Sequence, residues 1–252
     1  MTILGIGRIG FWRGGSLWFG KGLSSTDLHA HHAIQLCFGL DGPVQVRSPS
    51  SPDRDTFRAV LIPSMVPHAL DASGRITAAL FCEPQSLAGR ALSERYGRVR
   101  PITLPEAAIL TERIARIGRE MEQGIDPEKA CLAMLADLTG IASHIRPTDQ
   151  RIMRAVAFVV ENLKCPIRLP EAAAVAALSP GRFRHLFVAE MGVPFRAYVL
   201  WLRLQYALQA GIRGASWTEA AHEAGFSDLA HLSRTFRRML GISPTAIPRG
   251  NP

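Results

Sequence analysis

The chain has 252 residues, of which 47% are hydrophobic and 20% charged, and this composition indicates a globular protein with a buried core. Its length accommodates one large domain or two ordinary ones. A net charge of +8 favours an anionic partner such as nucleic acid. We find no signal peptide and no apolar run near the ~18 residues that span a bilayer, so we expect a cytoplasmic protein without a membrane partner.

Residues 1–83 carry the signals of short β-strands. The stretch AIQLCFGL meets the turn pair Asp41-Gly42 and is followed by PVQVR, which predicts a hairpin. A second hairpin is predicted around Gly14 and Gly15, and FRAVLIP and RITAALFC are further strands. Many short strands with frequent turns predict a small barrel or sandwich.

From about residue 83 the periodicity becomes helical. Leu104, Ala108, Ile114 and Ile117 recur at helical spacing, and a second helix is predicted after Asp126. These helices either cover one face of the barrel or form the seam of a homodimer, and the sequence does not distinguish the two uses.

The C-terminal part, residues 147–252, holds most of the positive charge. It has 13 Lys and Arg against 7 Asp and Glu, whereas residues 1–146 have 16 against 14. Its pattern is helical throughout, starting with a stripe formed by Ile152, Val156, Val159, Val160 and Leu163. The four cysteines have no CxxC spacing, which predicts reduced thiols.

This part also contains an internal repeat. PEAAAVAALSPGRFRHLFVAEMG and TEAAHEAGFSDLAHLSRTFRRMLG align with a period of 48 that becomes 49 after one extra residue. The pairs that match are Glu171 and Glu219, Ala172 and Ala220, Ala173 and Ala221, Ser179 and Ser227, Phe187 and Phe236, and Gly192 and Gly241.

Each copy is predicted to form a helix, a tight turn and a second helix. Ser216 and Glu219 have capping-box spacing, and Gly225 supplies the positive φ that ends a helix sharply. Ser179 and Ser227 are predicted to cap the second helices. The unit is therefore a helix-turn-helix with a basic and exposed second helix.

The residues from about 149 to 248 resemble the DNA-binding domain of AraC/XylS-type transcription regulators, most closely in AAHEAGFSDLAHLSRTFRRMLGISP. The resemblance covers about 100 residues. It implies two helix-turn-helix units joined by a long helix near residues 194–210, with the two recognition helices entering the major groove of double-stranded DNA.

The resemblance also implies roles for single residues. Arg184 and Arg234 are suited to bidentate contact with guanine. The residues expected near base edges are Gly181, Arg184, His185, Leu229, Ala230, His231 and Arg234, and those expected at phosphates are Arg182, Arg237 and Arg238.

The stretches LHAHHAIQLCFGLDGPV and IPSMVPHAL loosely resemble the two motifs of the cupin barrel, which AraC-type regulators often carry as an effector domain. The cupin pattern implies that His29, His31 and His68 bind a metal, but Gln35 stands where a glutamate is expected. The alternatives are a pocket for an organic effector, lined by these residues and Phe38, or a polar strand face that carries the histidines.

Together these features predict an α+β multidomain protein. Residues 1–100 form a cupin-like β-barrel, residues 101–146 form the following helices, and residues 147–252 form an all-α domain with two helix-turn-helix motifs. We expect a transcription regulator, more typically an activator, that is not an enzyme, needs no cofactor and responds to a small-molecule effector. RNA polymerase and a second copy of the chain are further possible partners. The alternatives are a metal-dependent cupin enzyme or metal sensor fused to a DNA-binding domain, and a ligand-independent DNA-binding dimer.

Overall fold

The computed structural model describes residues 5–49, 51–97, 101–140 and 148–247. The first half contains nine strands and three helices within these ranges. The strands are β1 (Gly5–Trp12), β2 (Gly15–Gly22), β3 (Ile34–Gly39), β4 (Val44–Ser48), β5 (Ser51–Phe57), β6 (Ala59–Ile62), β7 (Ala69–Asp71), β8 (Ile76–Cys82) and β9 (Ile102–Thr103). The helices are α1 (Leu87–Tyr96), α2 (Ala107–Glu122) and α3 (Glu128–Thr139).

The strands form two antiparallel sheets that enclose a common core of Cys37, Val44, Val46 and Val60, and the strand-rich half with α1 is called the barrel from here on. The larger sheet has the order β1-β2-β8-β3-β6-β9 and the smaller one the order β5-β4-β7. The hairpin predicted around Gly14 and Gly15 is confirmed, since β1 pairs with β2 in a register that joins Trp12 to Gly15.

The hairpin predicted around Asp41 and Gly42 is wrong. β3 pairs with β6 and β8, whereas β4 pairs with β5 and β7 in the other sheet. The turn signal is real, but the chain crosses there from one sheet to the other. Strand pairing depends on tertiary contacts that the turn residues do not specify.

Alternating side chains of the larger sheet enter two different cores. On β3, Ile34, Leu36 and Phe38 pack against the helices, and Cys37 packs on the opposite side with Val44 and Val46 of the smaller sheet. Because successive side chains of a strand point to opposite faces, Gln35 shares the inner face with Cys37. This parity decides which residues of β3 line the interior.

The helices α2 and α3 cover the outer face of the larger sheet, which is the first of the two uses predicted for them. The buried stripe of α2 contains Leu110, Ile114, Ile117 and Met121. Ala108 was expected in this stripe but is exposed, because at 3.6 residues per turn it lies on the side of α2 opposite Leu110 and Ile114.

The second half is helical. Its elements are α4 (Gln150–Glu161), α5 (Leu169–Val175), α6 (Pro180–Met191), α7 (Phe195–Ile212), α8 (Trp217–Glu223), α9 (Leu229–Leu240) and a short 3-10 helix, Pro244–Ala246. The predicted connecting helix is α7. In α4, Ile152, Val156 and Val159 are buried as expected, but Val160 is 56% exposed because it lies on the outer side of the stripe.

The repeat predicted from the sequence is present as two helix-turn-helix units, α5–α6 and α8–α9. Each turn closes with the same hydrogen bond, from the Leu178 amide to the Ala173 carbonyl and from the Phe226 amide to the Ala221 carbonyl, both 2.9 Å. The residue before each donor has positive φ, +54° at Ala177 and +78° at Gly225. The turns are therefore equivalent, with the Schellman pattern of a helix end.

The caps of the recognition helices differ between the copies. Ser179 accepts a hydrogen bond from the Arg182 amide, as predicted. In the second copy the cap is Asp228, which accepts from the His231 amide, and not Ser227. The extra residue of the second copy shifts the start of the helix by one position, and the Ser227 hydroxyl donates to the Asp228 carboxylate instead.

The domain boundaries predicted after residue 100 and after residue 146 lie within or next to residues 98–100 and 141–147, which the structure does not describe. The two halves are in direct contact, since Ala33 and Phe81 of the sheets belong to the same hydrophobic cluster as the helices of the second half. No helix in the described ranges is both long and apolar enough to cross a membrane.

Candidate nucleic-acid interface and interdomain cavity

The helices α6 and α9 each bury one face and expose the other. Phe183 and Phe187 of α6, and Leu232 and Phe236 of α9, are fully buried. The buried alanines of α5 and α8 lie beneath them at matching positions of the repeat, and their small side chains let the helices approach closely. The alanines are Ala172, Ala173 and Ala176 in the first copy and Ala220, Ala221 and Ala224 in the second.

The basic residues predicted to contact DNA lie on the exposed faces. The exposed ones are Arg182, Arg184, His185, Arg234, Arg237 and Arg238, and His231 is half-buried. Among the described residues, no arginine of this set forms an ion pair, so their charge is available to an external anion. Gly181 and Ala230 are exposed, and Leu229 is 36% exposed.

His231 is fixed at the start of α9. Its ring packs edge-on against Phe226 at 5.1 Å between centroids, and its Nδ1 lies 3.3 Å from the Ser227 hydroxyl. The Asp228 carboxylate that caps the helix has a lowered pKa, chiefly because it accepts the hydrogen bond from the His231 amide. The first turn of this recognition helix is thus held by side chains of the turn before it.

Away from these helices, His29, His31 and His68 form a buried cluster. His29 and His68 pair through two backbone hydrogen bonds of 2.9 and 2.8 Å, and His31 lies two residues after His29 on the same side. One nitrogen from each ring lies within 4.8 Å of the others. Gln35 lies among them, with its Oε1 3.0 Å from His31 Nε2 and 3.2 Å from His68 Nε2.

The protonation of the three rings follows from their outer contacts. Each Nδ1 lies against a backbone carbonyl oxygen, His29 against Asp27 at 2.8 Å, His31 against Ala33 at 2.8 Å and His68 against Val66 at 2.9 Å. Because a carbonyl oxygen only accepts hydrogen bonds, each Nδ1 carries the hydrogen. The lone pairs of the three neutral rings are therefore on Nε2.

Burial keeps these rings neutral. Desolvation lowers the pKa of His29 to about 3 and is also the main reason that the pKa values of His31 and His68 fall below their usual range. The neighbouring imidazole of His31 adds to this effect at both His29 and His68. Neutral imidazole is the form that binds metals.

His32 belongs to a different network. Its Nε2 donates to Gln85 Oε1 at 2.9 Å, so its tautomer is opposite to that of the cluster, and its ring packs edge-on against Tyr198 of α7. Gln85 also donates to the Tyr198 hydroxyl at 3.4 Å and to the Glu83 carboxylate. These residues join the barrel to the connecting helix of the second half.

A cavity of about 150 Å³ lies between the two halves. Its barrel side is lined by Trp18, His29, His31, Gln35 and Phe81, among others. Its helical side is formed by apolar residues from the ends of α7 and α9 and from the segment after α9, namely Ile212, Leu240, Ile242, Ala246 and Ile247. Arg8 and Lys21 lie at its border and form no ion pair with the described residues.

Of the five residues predicted to contact an effector, His29, His31 and Gln35 line this cavity, and His68 completes the cluster behind them. Phe38 does not reach it. It is fully buried on the opposite face of β3, against the helices, because its parity along the strand differs from that of Gln35. The cavity residues from the helical half were missed, since no local pattern marks a residue as facing another domain.

Polar contacts, including a 3.4 Å hydrogen bond from the Ala30 amide to the Arg238 carbonyl, hold the barrel to the ends of the recognition helices. The Asp27 amide donates to the carbonyl of Gly241, the C-cap of α9, at 2.8 Å. The Arg90 guanidinium forms a buried ion pair of 2.9 Å with Glu190 in the last turn of α6 and donates to Thr148. The N-terminal turns of both recognition helices remain exposed, so the barrel does not cover the basic surface.

Comparison with known proteins bears on the second half of the chain. Residues 172–249 match a family described as "Helix-turn-helix domain". The probable transcriptional regulator LumQ of Photobacterium leiognathi is 35% identical over 89 residues, which are 35% of this chain and 36% of LumQ. The regulatory protein PocR of Salmonella typhimurium is 28% identical over 102 residues, which are 40% of this chain and 33% of PocR. The chain thus spans about a third of the length of these curated relatives.

The overall fold resembles that of ToxT from Vibrio cholerae. The structure of ToxT from strain O395 superposes with a TM-score of 0.59 at 11% identity, covering 94% of this chain and 95% of ToxT. A ToxT structure with a bound unsaturated fatty acid gives a TM-score of 0.57 at 11% identity, covering 94% and 92%. At this identity the similarity establishes the fold alone. The repeat, the turn geometry and the family match together make the C-terminal part of this chain an AraC-type helix-turn-helix domain.

Proposed function

We propose that this protein is a sequence-specific transcription regulator that binds double-stranded DNA through α6 and α9 and is controlled by a small molecule bound between its two halves. The observation that carries the proposal is the pair of equivalent helix-turn-helix units, whose exposed faces hold arginines that form no ion pair with any residue the structure describes. One arginine in each helix, Arg184 and Arg234, lies near the exposed start, where a recognition helix meets base edges.

The barrel sets the geometry of DNA binding. It contacts the last turn of α6 through Arg90 and the C-cap of α9 through Asp27. A change in the barrel therefore changes the position of α6 relative to α9. Both helices can bind one DNA duplex only when their separation matches that of successive major grooves. The cavity lies on this contact, because Leu240 and Ile242 adjoin Gly241 and line it.

The lining of the cavity favours an apolar effector with an anionic group. Most of the lining side chains are aliphatic or aromatic, and Lys21 and Arg8 at the border can pair with a carboxylate. The volume of about 150 Å³ suits a compact molecule, such as a substituted aromatic acid, better than an extended chain. The bound unsaturated fatty acid of ToxT is an apolar acid and supports the same chemical class.

DNA binding is tested by selecting bound duplexes from a random pool with the purified full-length chain. The expected result is one enriched motif with two half-sites about one helical turn apart. Arg184→Ala should lose the preference in one half-site and Arg234→Ala in the other. Arg119→Ala, which removes an exposed arginine from α2, is the matched control for net charge and should select the wild-type motif. Selection of no motif would overturn the proposal.

The effector is tested separately by thermal shift. Cyclohexanecarboxylate and benzoate serve as probes, with cyclohexanol and benzyl alcohol as uncharged controls. The acids should raise the melting temperature, and Lys21→Gln should reduce this shift. Equal shifts from acids and alcohols would contradict the anionic anchor, whereas no shift from any probe would contradict an effector of this size and class in the cavity.

The sign of regulation and the remaining partners follow from the resemblance and are part of the proposal. We expect the protein to activate transcription by recruiting RNA polymerase. Expression from a fusion of the target promoter to a reporter should then fall when the gene for this protein is deleted. Self-association is measured by sedimentation. Exposed Ile109 on α2 and Leu132 on α3 are the apolar side chains available for a homodimer seam.

A further inference from the structure

A second, smaller cavity of about 20 Å³ adjoins the interdomain cavity, and we call it the inner compartment. Trp18, Phe81 and Leu240 line both spaces, so these three residues form the boundary between them. The inner compartment continues along the same face of β2, because Ser16 and Trp18 are two residues apart on that strand and share a face. Its volume suits one water-sized group, such as a single hydroxyl or carbonyl oxygen.

The inner compartment is lined by polar groups without partners. Trp201 of α7 lines it and is only 3% exposed, yet its indole Nε1–H donates to no residue that the structure describes. Gln205 lies one turn further along α7 in the same lining, and its side-chain amide forms no hydrogen bond within the described ranges. The Ser16 hydroxyl accepts from Trp18 Nε1 at 3.1 Å, which leaves its own hydrogen to donate. A buried donor without an acceptor costs about 1–3 kcal/mol, so this space favours a molecule that supplies one.

We propose that the inner compartment binds an uncharged oxygen of the effector, a hydroxyl or carbonyl group that accepts a hydrogen bond from Trp201 Nε1. The inference rests on the proposed effector site and adds a requirement to it. The effector is then a compact apolar acid with a second, neutral oxygen at the end away from its carboxylate. Ser16 and Lys21 lie near opposite ends of β2, so the inner compartment and the basic border of the main cavity are well separated.

The lining excludes the other kinds of group at this end of the effector. Its side chains are apolar apart from Ser16, Gln205 and the indoles, and none of them is ionisable. A carboxylate or ammonium would therefore be buried without an opposite charge, which is costly. An ammonium would also place a donor against the indole N–H. A methyl group would fill the space but leave Trp201 without an acceptor, so an alcohol, a phenol or a ketone fits best.

The inner compartment brings the effector to the helix that joins the two helix-turn-helix units. Trp201 and Gln205 lie in the middle of α7, whereas the main cavity is lined from α7 by Ile212 at its end. An oxygen held by Trp201 therefore ties the effector to the body of α7 as well as to the barrel. An acid without this oxygen fills the main cavity but lacks the tie.

The test compares acids of matched shape by calorimetry with the full-length chain. The pairs are 3-(4-hydroxyphenyl)propionate with 3-(4-methylphenyl)propionate, and the shorter 4-hydroxybenzoate with 4-methylbenzoate. In at least one pair the hydroxy acid should have a Kd about 3- to 10-fold lower, because a hydroxyl reproduces the hydrogen bonds of a displaced water and a methyl group does not. Equal affinities within both pairs would overturn the inference and leave the apolar acid site intact. Absence of binding by all four acids would overturn both.

Variants of α7 assign this advantage to the inner compartment. Trp201→Phe removes the donor and keeps an aromatic ring, so it should bring the two acids of the pair to within about twofold of each other. Gln205→Met should reduce the advantage to less than half, and this half-buried site keeps the test decisive if Trp201→Phe does not fold. Gln209→Met is the matched control, because Gln209 lies one turn further on α7 and lines neither space, and it should retain the full advantage.

The variants also separate the proposal from a purely internal use of the indole. The ring of His32 lies 6.3 Å from that of Trp201, and its Nδ1 is buried without a partner among the described residues. If the indole bonds to this nitrogen in solution, the hydroxyl gains nothing from Trp201. An advantage that persists unchanged in both Trp201→Phe and Gln205→Met, or that is lost equally in Gln209→Met, would overturn the proposal.

Discussion

The amide of Asp27 donates a 2.8 Å hydrogen bond to the carbonyl of Gly241, and this bond joins the histidine-bearing segment of the barrel to the C-cap of the second recognition helix. Gly241 has φ of +68°, and a Cβ at this position would lie 2.4 Å from the Asp27 carbonyl oxygen and 2.6 Å from His29 Nδ1. Only glycine satisfies both the left-handed backbone and the close approach. The contact between the halves therefore depends on the absence of one side chain.

We expect Gly241→Ala to separate the barrel from the end of α9. The repeat supplies a matched control, because Gly192 caps α6 with φ of +75° and a Cβ there would meet nothing within 4 Å. Gly192→Ala should lower the free energy of unfolding by about 1–2 kcal/mol, the cost of the left-handed conformation alone. Gly241→Ala should cost at least about 1 kcal/mol more, because it adds the clash. Urea unfolding measures both, and equal losses would show that the contact is not tight.

We expect Gly225→Ala to destabilise the second helix-turn-helix although the equivalent residue of the first copy is already alanine. Ala177 tolerates φ of +54°, but at Gly225 a Cβ would lie 2.6 Å from the Leu163 carbonyl oxygen, which also accepts from Arg203. Gly214→Ala is the control, since φ is +104° there and the surrounding space is open. Thermal unfolding should show a larger loss for Gly225→Ala, and a footprint should show weaker protection by α9. A loss no larger than that of Gly214→Ala would contradict this account.

We expect Arg234→Ala and Arg237→Ala to affect DNA binding in different ways. Arg234 lies in the exposed first half of α9, so its loss should reduce the discrimination between specific and non-specific DNA by about 1–3 kcal/mol, or roughly 5- to 150-fold. Arg237 lies in the last turn, where a phosphate contact would be lost equally on all sequences. Competition assays at fixed salt separate the two, and an identical loss of specificity would show that the faces are assigned incorrectly.

We expect Glu83 to contribute a loss of stability between about pH 4.5 and pH 7, opposite in sign to the contribution of the buried histidines, whose pKa values are lowered. Burial raises the pKa of this carboxyl from 4.5 to about 7, although Arg13 opposes the shift. In this range the unfolded chain has released the proton that the folded chain still holds, so rising pH favours unfolding, and the full cost is present above pH 7. Glu83→Gln should therefore unfold at a higher temperature than the wild type at pH 8, with no gain at pH 4. Glu112→Gln, at an exposed site on α2, is the control, and an equal gain from it at pH 8 would contradict the prediction.

The second half of the chain could be predicted in detail because its signals are local. These signals act over a few residues of sequence, as do the capping box at Ser216, the positive φ at Gly225 and the alanines of α5 and α8. Each has a counterpart at the equivalent position in the other copy of the repeat. The one displaced cap, at Asp228 and not Ser227, lies where the second copy has its extra residue. Helical spacing predicted that Arg234 lies on an exposed face, whereas the role of Arg184 was implied by the resemblance to AraC/XylS-type regulators.

The histidine cluster could be predicted only in part. The sequence marked His29, His31, His68 and Gln35 as one group, but it also included Phe38, which the parity of β3 places on the other face. The tautomers of the three rings could not be predicted, because they depend on backbone carbonyls whose positions are set by the loops around the strands. The apolar wall that α7 and α9 contribute to the cavity had no signal at all.

The sequence by itself therefore determined the two helix-turn-helix units, their basic faces and the strand-rich composition of the first half, since these depend on helix caps, turn stereochemistry and short periodicities. Only the tertiary structure decided that β3 pairs with β6 and β8 and that the barrel holds the ends of both recognition helices. It also decided that an apolar cavity and three convergent imidazoles lie at that contact. These features join residues as distant in sequence as Asp27 and Gly241, and no local preference of the chain specifies which distant surfaces pack together.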